Sequence, residues 1–363
     1  MTAAAGSAVG SVRGVTDPWP YDAFTAETLY LNTASMGLPP IATQQALAEA
    51  HAAWAAGTVE PADFDPAVAR ARATYAGMVG VEESWVAVGH QVSPLVGLVA
   101  AAMPDGAEVL VASGEFTSVT FPFAAHADRG VRVVEVPVAE LADRVGPDTA
   151  WVAVAAVQSA DGALADLDAL VDACARHGAE LLVDLTQAAG WLPVDASRFA
   201  ATVCGTYKFL LSPRGTAFLT VRPDVAARLR PLAASWFAGA DPWSSIYGLP
   251  LRLADGARGF DVSPAWFGWV GTAAALDFLA GLGSEALHAH ALEVGAAFCA
   301  AADLPDPISA ILALIADDDV PDLLAAHRVV AAQRAGRLRV SFGPHNSPDE
   351  VAALGRALRG HVS

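Results

Sequence analysis

Between residues 84 and 232, short apolar runs alternate with longer segments in which apolar positions recur at helical spacing. The runs 85–88, 108–112, 131–136, 151–157, 180–185, 201–204 and 216–221 read as strands. Segments 93–103, 118–127, 164–177 and 224–229 read as the helices between them. Strands this short, joined through helices, predict βαβ units and a mainly parallel sheet. Ligands of such sheets bind beyond the carboxyl ends of the strands, so the residues just after each strand are where function is to be sought. A Trp-, Pro- and Gly-rich stretch at 235–269 breaks the alternation, and a helix-rich tail with one strand-like run, 338–342, follows. The expected division is a large domain over 41–265 and a smaller domain formed by 266–363 together with an N-terminal arm, 1–40. Residues 1–20 lack a continuous apolar segment and read as an arm rather than a signal peptide. The longest uncharged stretch, 85–104, is interrupted by Gly89, His90, Gln91 and Pro94 and is not a membrane span.

Composition narrows the function. With 54% hydrophobic and 17% charged residues, the 363-residue chain can bury a large core, which excludes disorder for most of its length. Its 39 acids against 21 bases give a net charge of −18, which argues against nucleic acid or an anionic membrane as partner. Cys174, Cys204 and Cys299 are an odd, scattered set that supports neither a disulfide framework nor a zinc site. A reducing cytoplasm and no metal are expected. One count stands out: Lys208 is the single lysine among the 21 basic residues. Arginine serves as a surface cation but does not lose its proton, so it cannot act as an amine nucleophile. Lys208 is therefore either a chance survivor of a compositional bias or a seat of covalent chemistry.

The positions after each strand supply the rest. Gly89-His90-Gln91-Val92-Ser93 leads into a helix with Ser93 near its N-cap, either a plain cap or an anion site using free N–H groups. Gly114-Glu115-Phe116-Thr117-Ser118 places an aromatic ring at the sheet edge, as a core residue or a plate. Asp184 ends an apolar strand, where a carboxylate needs a cation or a donor, and Gln187 follows it. Gly205-Thr206-Tyr207-Lys208 follows the next strand, and Ser212-Pro213-Arg214-Gly215 turns the chain into another. An anion-binding helix start, an aromatic plate, a buried carboxylate and one lysine on a single rim match the needs of pyridoxal 5′-phosphate.

These motifs also carry a family resemblance. Val183-Asp184-Leu185-Thr186-Gln187-Ala188-Ala189-Gly190, Pro193-Val194-Asp195, Gly205-Thr206-Tyr207-Lys208 and Gly215 resemble the signature of the class V aminotransferase superfamily. Its members include cysteine desulfurases, kynureninases, C–S lyases and isopenicillin N epimerase-like proteins. Leu29-Tyr30-Leu31-Asn32-Thr33-Ala34-Ser35 resembles the N-terminal motif of that family. Arg337-Leu338-Arg339-Val340-Ser341, with His345-Asn346, resembles its carboxylate-binding strand. The matches run in order from about residue 29 to 355. The resemblance implies the fold-type I PLP-dependent transferase fold: an α/β protein with a mainly parallel sheet in the large domain and a smaller C-terminal α+β domain.

It also implies roles. Lys208 would form the Schiff base, Asp184 pair with the pyridine nitrogen, Gln187 lie near the ring hydroxyl, and Val92 and Ser93 form the phosphate turn. Tyr207 stands where many members carry histidine; a tyrosine there resembles kynureninases, in which it binds phosphate. Phe116 replaces the stacking histidine of the desulfurases, and Gly205 departs from their serine. Gln158 and Ser159 align with the residue that bonds the cofactor's O3′. Ser263, in Phe260-Asp261-Val262-Ser263, would reach the phosphate of a neighbouring subunit, which implies a homodimer. Trp236 either flanks the site or packs in the interior. Arg339 would clamp a substrate α-carboxylate by its bidentate fork, with Asn32 and Ala34 beside it.

A persulfide-forming desulfurase needs a thiol shortly before the carboxylate-binding arginine, and residues 310–338 contain no cysteine. Cys299 falls in an Ala-rich helical run and Cys204 in a strand. The expectation is therefore a lyase that performs β-elimination or C–S cleavage on an L-amino acid, such as a cysteine conjugate. Aminotransferase, epimerase and kynureninase-like hydrolase are the alternatives. A non-catalytic pyridoxal-binding sensor would need a partner- or DNA-binding module, for which the chain has no room.

Overall fold

The structure, a computed structural model, describes residues 19–363, so most of the arm expected over 1–20 lies outside the described residues. A two-residue strand, β1 (Leu29–Tyr30), comes first. Seven strands then build the main sheet: β2 (Val86–Gly89), β3 (Glu108–Ala112), β4 (Arg132–Val136), β5 (Thr149–Ala155), β6 (Glu180–Asp184), β7 (Ala201–Gly205) and β8 (Ala217–Val221). Their order is β2-β8-β7-β6-β5-β3-β4. All pairings are parallel except those of β8, which runs antiparallel to both β7 and β2. These are the seven predicted runs, each displaced by no more than two residues, and the mainly parallel α/β expectation holds. Continuous burial explains why they were legible: β2, β3, β7 and β8 are buried at every position, because helices cover both faces. The outer strand β4 differs. It exposes Arg132 and Glu135, and charge along an edge discourages pairing with another chain.

Helices Val92–Ala101 and Thr117–Ala124 pack on one face of the sheet through Leu95, Val96, Val99, Val119 and Phe123. On the other face, Asp65–Met78, Leu167–His177 and Trp266–Leu282 share a core with Tyr75, Phe218 and Trp269. Two predicted boundaries move for local reasons. The helix expected from 164 starts at Leu167, because the Asp166 side chain accepts the Ala169 N–H at 3.0 Å and caps it. The helix expected from 93 starts at Val92, with Gln91 in the N-cap position, so Ser93 is not the cap but lies in the first turn. The helix expected over 224–229 shortens to Pro223–Ala226. Ile41–Ala56 and Ser284–Ala302 were not singled out, since alanine is apolar on every helical face and blurs any stripe.

Beyond the main sheet, β9 (Ile311–Leu314), β11 (Ala332–Arg334) and β12 (Arg337–Ser341) form an antiparallel sheet in the order β11-β12-β9. The short β10 (Val329–Val330) pairs in parallel with β1. Leu31, Phe298, Leu338, Val340, Phe342 and Leu354 make a separate core there, and helix Pro348–Leu358 packs on Ser284–Ala302. The segment after β1 then crosses the lysine turn. Gly37 N–H donates to the Tyr207 carbonyl at 2.8 Å, and a β-carbon at position 37 would stand 2.1 Å from the Lys208 carbonyl oxygen. Only glycine fits that approach.

A buried ion pair fixes the far edge of the sheet. Arg72 donates to Asp261 at 2.6 and 3.2 Å and to the Val86 carbonyl, while Asp261 accepts the Val88 N–H at 2.8 Å. Both side chains are almost fully enclosed. Removing one partner strands the other charge out of water. Asp261→Ala is expected to lower unfolding free energy by about 3–5 kcal/mol, read as a shifted denaturant midpoint. A shift under about 1 kcal/mol would contradict this role.

Candidate active site

The carboxyl ends of β2, β3, β5, β6 and β7 open onto one cavity. Val92 reaches it after β2, Phe116 after β3, Ser159 after β5, Asp184 and Gln187 from β6, and Tyr207 and Lys208 after β7. Two helix starts, at Val92 and Thr117, present their N-termini to it, an arrangement that attracts anions. Arg214 joins them from the turn before β8, with its guanidinium carbon 5.2 Å from the Tyr207 ring centre.

Lys208 is 5% exposed. Its Nζ lies 5.2 Å from the Phe116 ring centre and 5.7 Å from that of Tyr207. Burial lowers its pKa to about 8; the Asp184 charge opposes the shift and Arg339 adds to it. Asp184, buried at the tip of β6, accepts the Thr186 N–H at 2.8 Å. Burial pushes its pKa up, and the Thr186 hydrogen bonds and the Lys208 charge pull it back. Phe116 is 44% exposed and lines the cavity, so it is not a core residue.

At the Ser159 and Gln187 end of the cavity, residues from distant segments lock together, with Arg339 buried behind the lining rather than in it. Gln187 Nε2 donates to Ser159 Oγ at 2.9 Å and to the Ala34 carbonyl at 3.1 Å. Arg339, 1% exposed on β12, donates to the Ser159 carbonyl, to Ser159 Oγ at 3.3 Å and to Ser35 Oγ at 2.7 Å. Arg339 Nε and Gln187 Oε1 are buried without a hydrogen-bond partner. Burial, then the nearby Arg334, lowers the Arg339 pKa to about 10.

Other expected site residues lie outside the cavity lining. Ser93 sits one residue inside the helix, and Ser263 is exposed elsewhere on this chain. Asn32 bridges to Ser341 with its side-chain oxygen unpaired, and Ala34 contributes its backbone. Trp236 packs with Phe237 and Trp243. Gln158 is buried behind the cavity, where its amide donates to Glu115 at 3.0 Å. Glu115 is a residue the sequence reading passed over. Its carboxylate, 6% exposed, also accepts the N–H groups of Phe116 and Ala155, each at 2.8 Å, and so joins the ends of β3 and β5. Burial raises its pKa. A charged residue directly before the aromatic plate was the available signal.

This donor set fits pyridoxal phosphate: helix N-termini with Tyr207 and Arg214 for a phosphate, Phe116 for a ring face, a buried carboxylate and a single amine. Two comparisons agree. The backbone is similar to that of the cystine C-S lyase C-DES, solved with cysteine persulfide, with a TM-score of 0.82, 20% identity, and 93% and 98% of the two chains covered. It is also similar to the Escherichia coli cysteine desulfurase CsdA, with a TM-score of 0.77, 18% identity, and 93% and 96% covered. The shared architecture is the fold-type I PLP transferase fold. The Aminotransferase class-V family model matches residues 49–301; the chain belongs to that family, and its cofactor is pyridoxal 5′-phosphate. An uncharacterized aminotransferase, YcbU, from Bacillus subtilis is 27% identical over 302 residues, 77% of this chain and 80% of that protein. The isopenicillin N epimerase of Streptomyces clavuligerus is 28% identical over 298 residues, 73% and 72% of the two chains.

The lowered pKa of Lys208 gives a pH test on the cofactor-free protein. Below about 8 the amine is protonated and not nucleophilic, so capture of pyridoxal phosphate is expected to speed up with pH and level off above that value. Borohydride should then fix the cofactor to the Lys208 peptide, and Lys208→Ala should yield no adduct. A capture rate still climbing through pH 10 would show an ordinary surface amine.

Proposed function

We propose that the protein is a pyridoxal phosphate-dependent lyase that cleaves the Cβ–S bond of an S-substituted L-cysteine by β-elimination, without a protein persulfide. One observation carries this reading: among the described residues, Lys208 is the only amine lining the cavity, and no thiol lines it. Cys174, Cys204 and Cys299 are all buried. Burial pushes their thiols up, to about 11 for Cys174 and Cys299 and higher for Cys204, so none is a ready thiolate.

Bound at this site, the cofactor supplies an electron sink that acidifies the substrate Cα–H. Lys208 takes that proton as a free amine and delivers it as an ammonium to the departing sulfur. The Cα–H electrons form the Cα–Cβ double bond, and the Cβ–S electrons leave with the thiol. The amino-acrylate product takes up water and yields pyruvate and ammonia. Asp184 would place its negative charge for the ring nitrogen, and Phe116 would cover a ring face. Val92, Ser93, Tyr207 and Arg214 would serve the phosphate, while Gln187 and Ser159, backed by Gln158, would serve the ring oxygen. Arg339 would take the substrate carboxylate, its buried Nε being the guanidinium N–H left without a partner, with Asn32 and Ala34 shaping the turn beside it.

In this reading residues 41–265 carry the cofactor, while 1–40 and 266–363 supply the carboxylate clamp. A homodimer in the cytoplasm completes it, with Ser263 reaching the partner's phosphate. Tyr247 (87% exposed), Leu249 (89%) and Leu251 (67%) form an apolar stretch that a second copy would cover.

Epimerisation is the second reading, favoured by the likeness to isopenicillin N epimerase. There Lys208 would take the Cα proton, and Cα would be reprotonated on the opposite face. A panel of S-substituted L-cysteines assayed in deuterium oxide separates the two. Elimination gives pyruvate, ammonia and thiol in equal amounts. Epimerisation gives inverted substrate labelled at Cα, and transamination gives a keto acid only with an amino acceptor. We expect the first result, and either of the others without pyruvate would overturn the lyase reading. A Cys174→Ser, Cys204→Ser, Cys299→Ser triple variant should keep its turnover per bound cofactor. Loss of turnover with cofactor retained would restore a persulfide route. Asp184→Asn should cost about 3 kcal/mol of barrier, roughly a hundredfold in kcat.

A further inference from the structure

Arg339 is not the only guanidinium at the substrate end. β11 and β12 form a tight hairpin through Ala335 and Gly336 that carries Arg334 back toward the turn after β1. Arg334 Nη2 lies 3.4 Å from Ser35 Oγ, the same oxygen that Arg339 Nη2 reaches at 2.7 Å. Laid end to end, those two contacts keep the terminal nitrogens within about 6 Å of each other, close enough for like charges to repel. No carboxylate relieves the pair. Among the described residues neither arginine is in an ion pair, although the chain has 39 acids for 21 bases. Arg334's other contact is the neutral Gln333 carbonyl, at 2.8 Å.

Ser35 adds to this. A hydroxyl has two acceptor positions and one donor; with arginine N–H groups on the acceptor side, its proton is left to be donated to an anion. Burial also separates the two cations. Arg339 is enclosed and suits the group nearest the reacting carbon, while Arg334 is exposed on the solvent side of Ser35 and suits the far end of a longer molecule. One α-carboxylate needs one fork, and two forks converging on a shared hydroxyl suit two anionic groups.

The geometry points to a second anion subsite, in which Arg334 selects amino acids whose side chain ends in a carboxylate while Arg339 holds the α-carboxylate. This rests on the reading above that the substrate is an amino acid held by Arg339. It narrows the leaving group to an acidic thiol, such as a carboxyalkyl thiol.

Unreactive ligands test the subsite without relying on the reaction. In calorimetric titrations of the holoenzyme, glutarate should bind at least about tenfold more tightly than pentanoate, which replaces one carboxylate by a methyl group. Arg334→Gln should shrink that ratio to about twofold or less, and Arg334→Lys should restore part of it, since charge is kept and the fork lost. Equal binding of the two ligands by the wild type, or a ratio that survives in Arg334→Gln, would overturn the subsite. Kinetics with S-(2-carboxyethyl)-L-cysteine and S-propyl-L-cysteine keep the two readings apart. Pyruvate from both at equal kcat/KM would refute the subsite and leave elimination standing. A glutarate preference with no pyruvate from either would support the subsite and refute elimination.

Discussion

Charge removed from water at the carboxyl edge of the sheet is the constraint around which this site is built. Asp184, Glu115, Lys208 and Arg339 are each buried there, and an unpaired buried charge is costly. Glu115 meets its cost internally, with three N–H donors. The other three do not. Asp184 has the Thr186 hydrogen bonds but no cation in contact, Lys208 has two aromatic rings for neighbours, and Arg339 is held by serine oxygens alone. The pKa directions follow: the carboxylate is pushed up and the amine down, each toward its neutral form. A cofactor with a protonatable ring nitrogen and an aldehyde that takes up an amine would address both groups, and in the proposed reading a substrate carboxylate would address Arg339.

The fold brings these groups together through three separate stretches of chain. The parallel sheet sets Asp184 and Lys208 at neighbouring strand ends, since β6 and β7 are adjacent and parallel. The segment after β1 lies over the lysine turn through Gly37 and supplies Ala34 and Ser35. The antiparallel sheet supplies Arg339. Ser159 and Gln187 join all three, so the substrate end depends on the small sheet and the N-terminal segment holding their places against the large sheet.

How much of this was legible in the sequence follows from range. The main strands were plain because both of their faces are covered, which leaves unbroken apolar runs. Lys208, Asp184 and Phe116 stood out because each lies at the end of a strand or within a few residues after it. The helices rich in alanine gave no stripe, and their limits were not foreseen. Glu115 was adjacent to a residue already singled out, yet its role depends on the end of β5, about 40 positions away. Ser35 and Arg334 meet across 299 positions, and no spacing rule reports such a contact. Ser93 shows the reverse: its type fits a cap, but the helix begins two residues earlier than that role requires, with Gln91 as its cap.

The most direct measurement of the central claim is the protonation state of the cofactor's ring nitrogen, read by nuclear magnetic resonance of holoenzyme rebuilt with ring-15N pyridoxal phosphate. If the buried Asp184 charge is balanced there, the nitrogen is protonated from pH 6 to 9, well above the range in which a free pyridine would hold its proton. Asp184→Asn then shows the unprotonated shift. An unprotonated nitrogen in the wild-type enzyme at neutral pH would contradict the account, because Asp184 would then be a buried carboxyl without the partner that explains it.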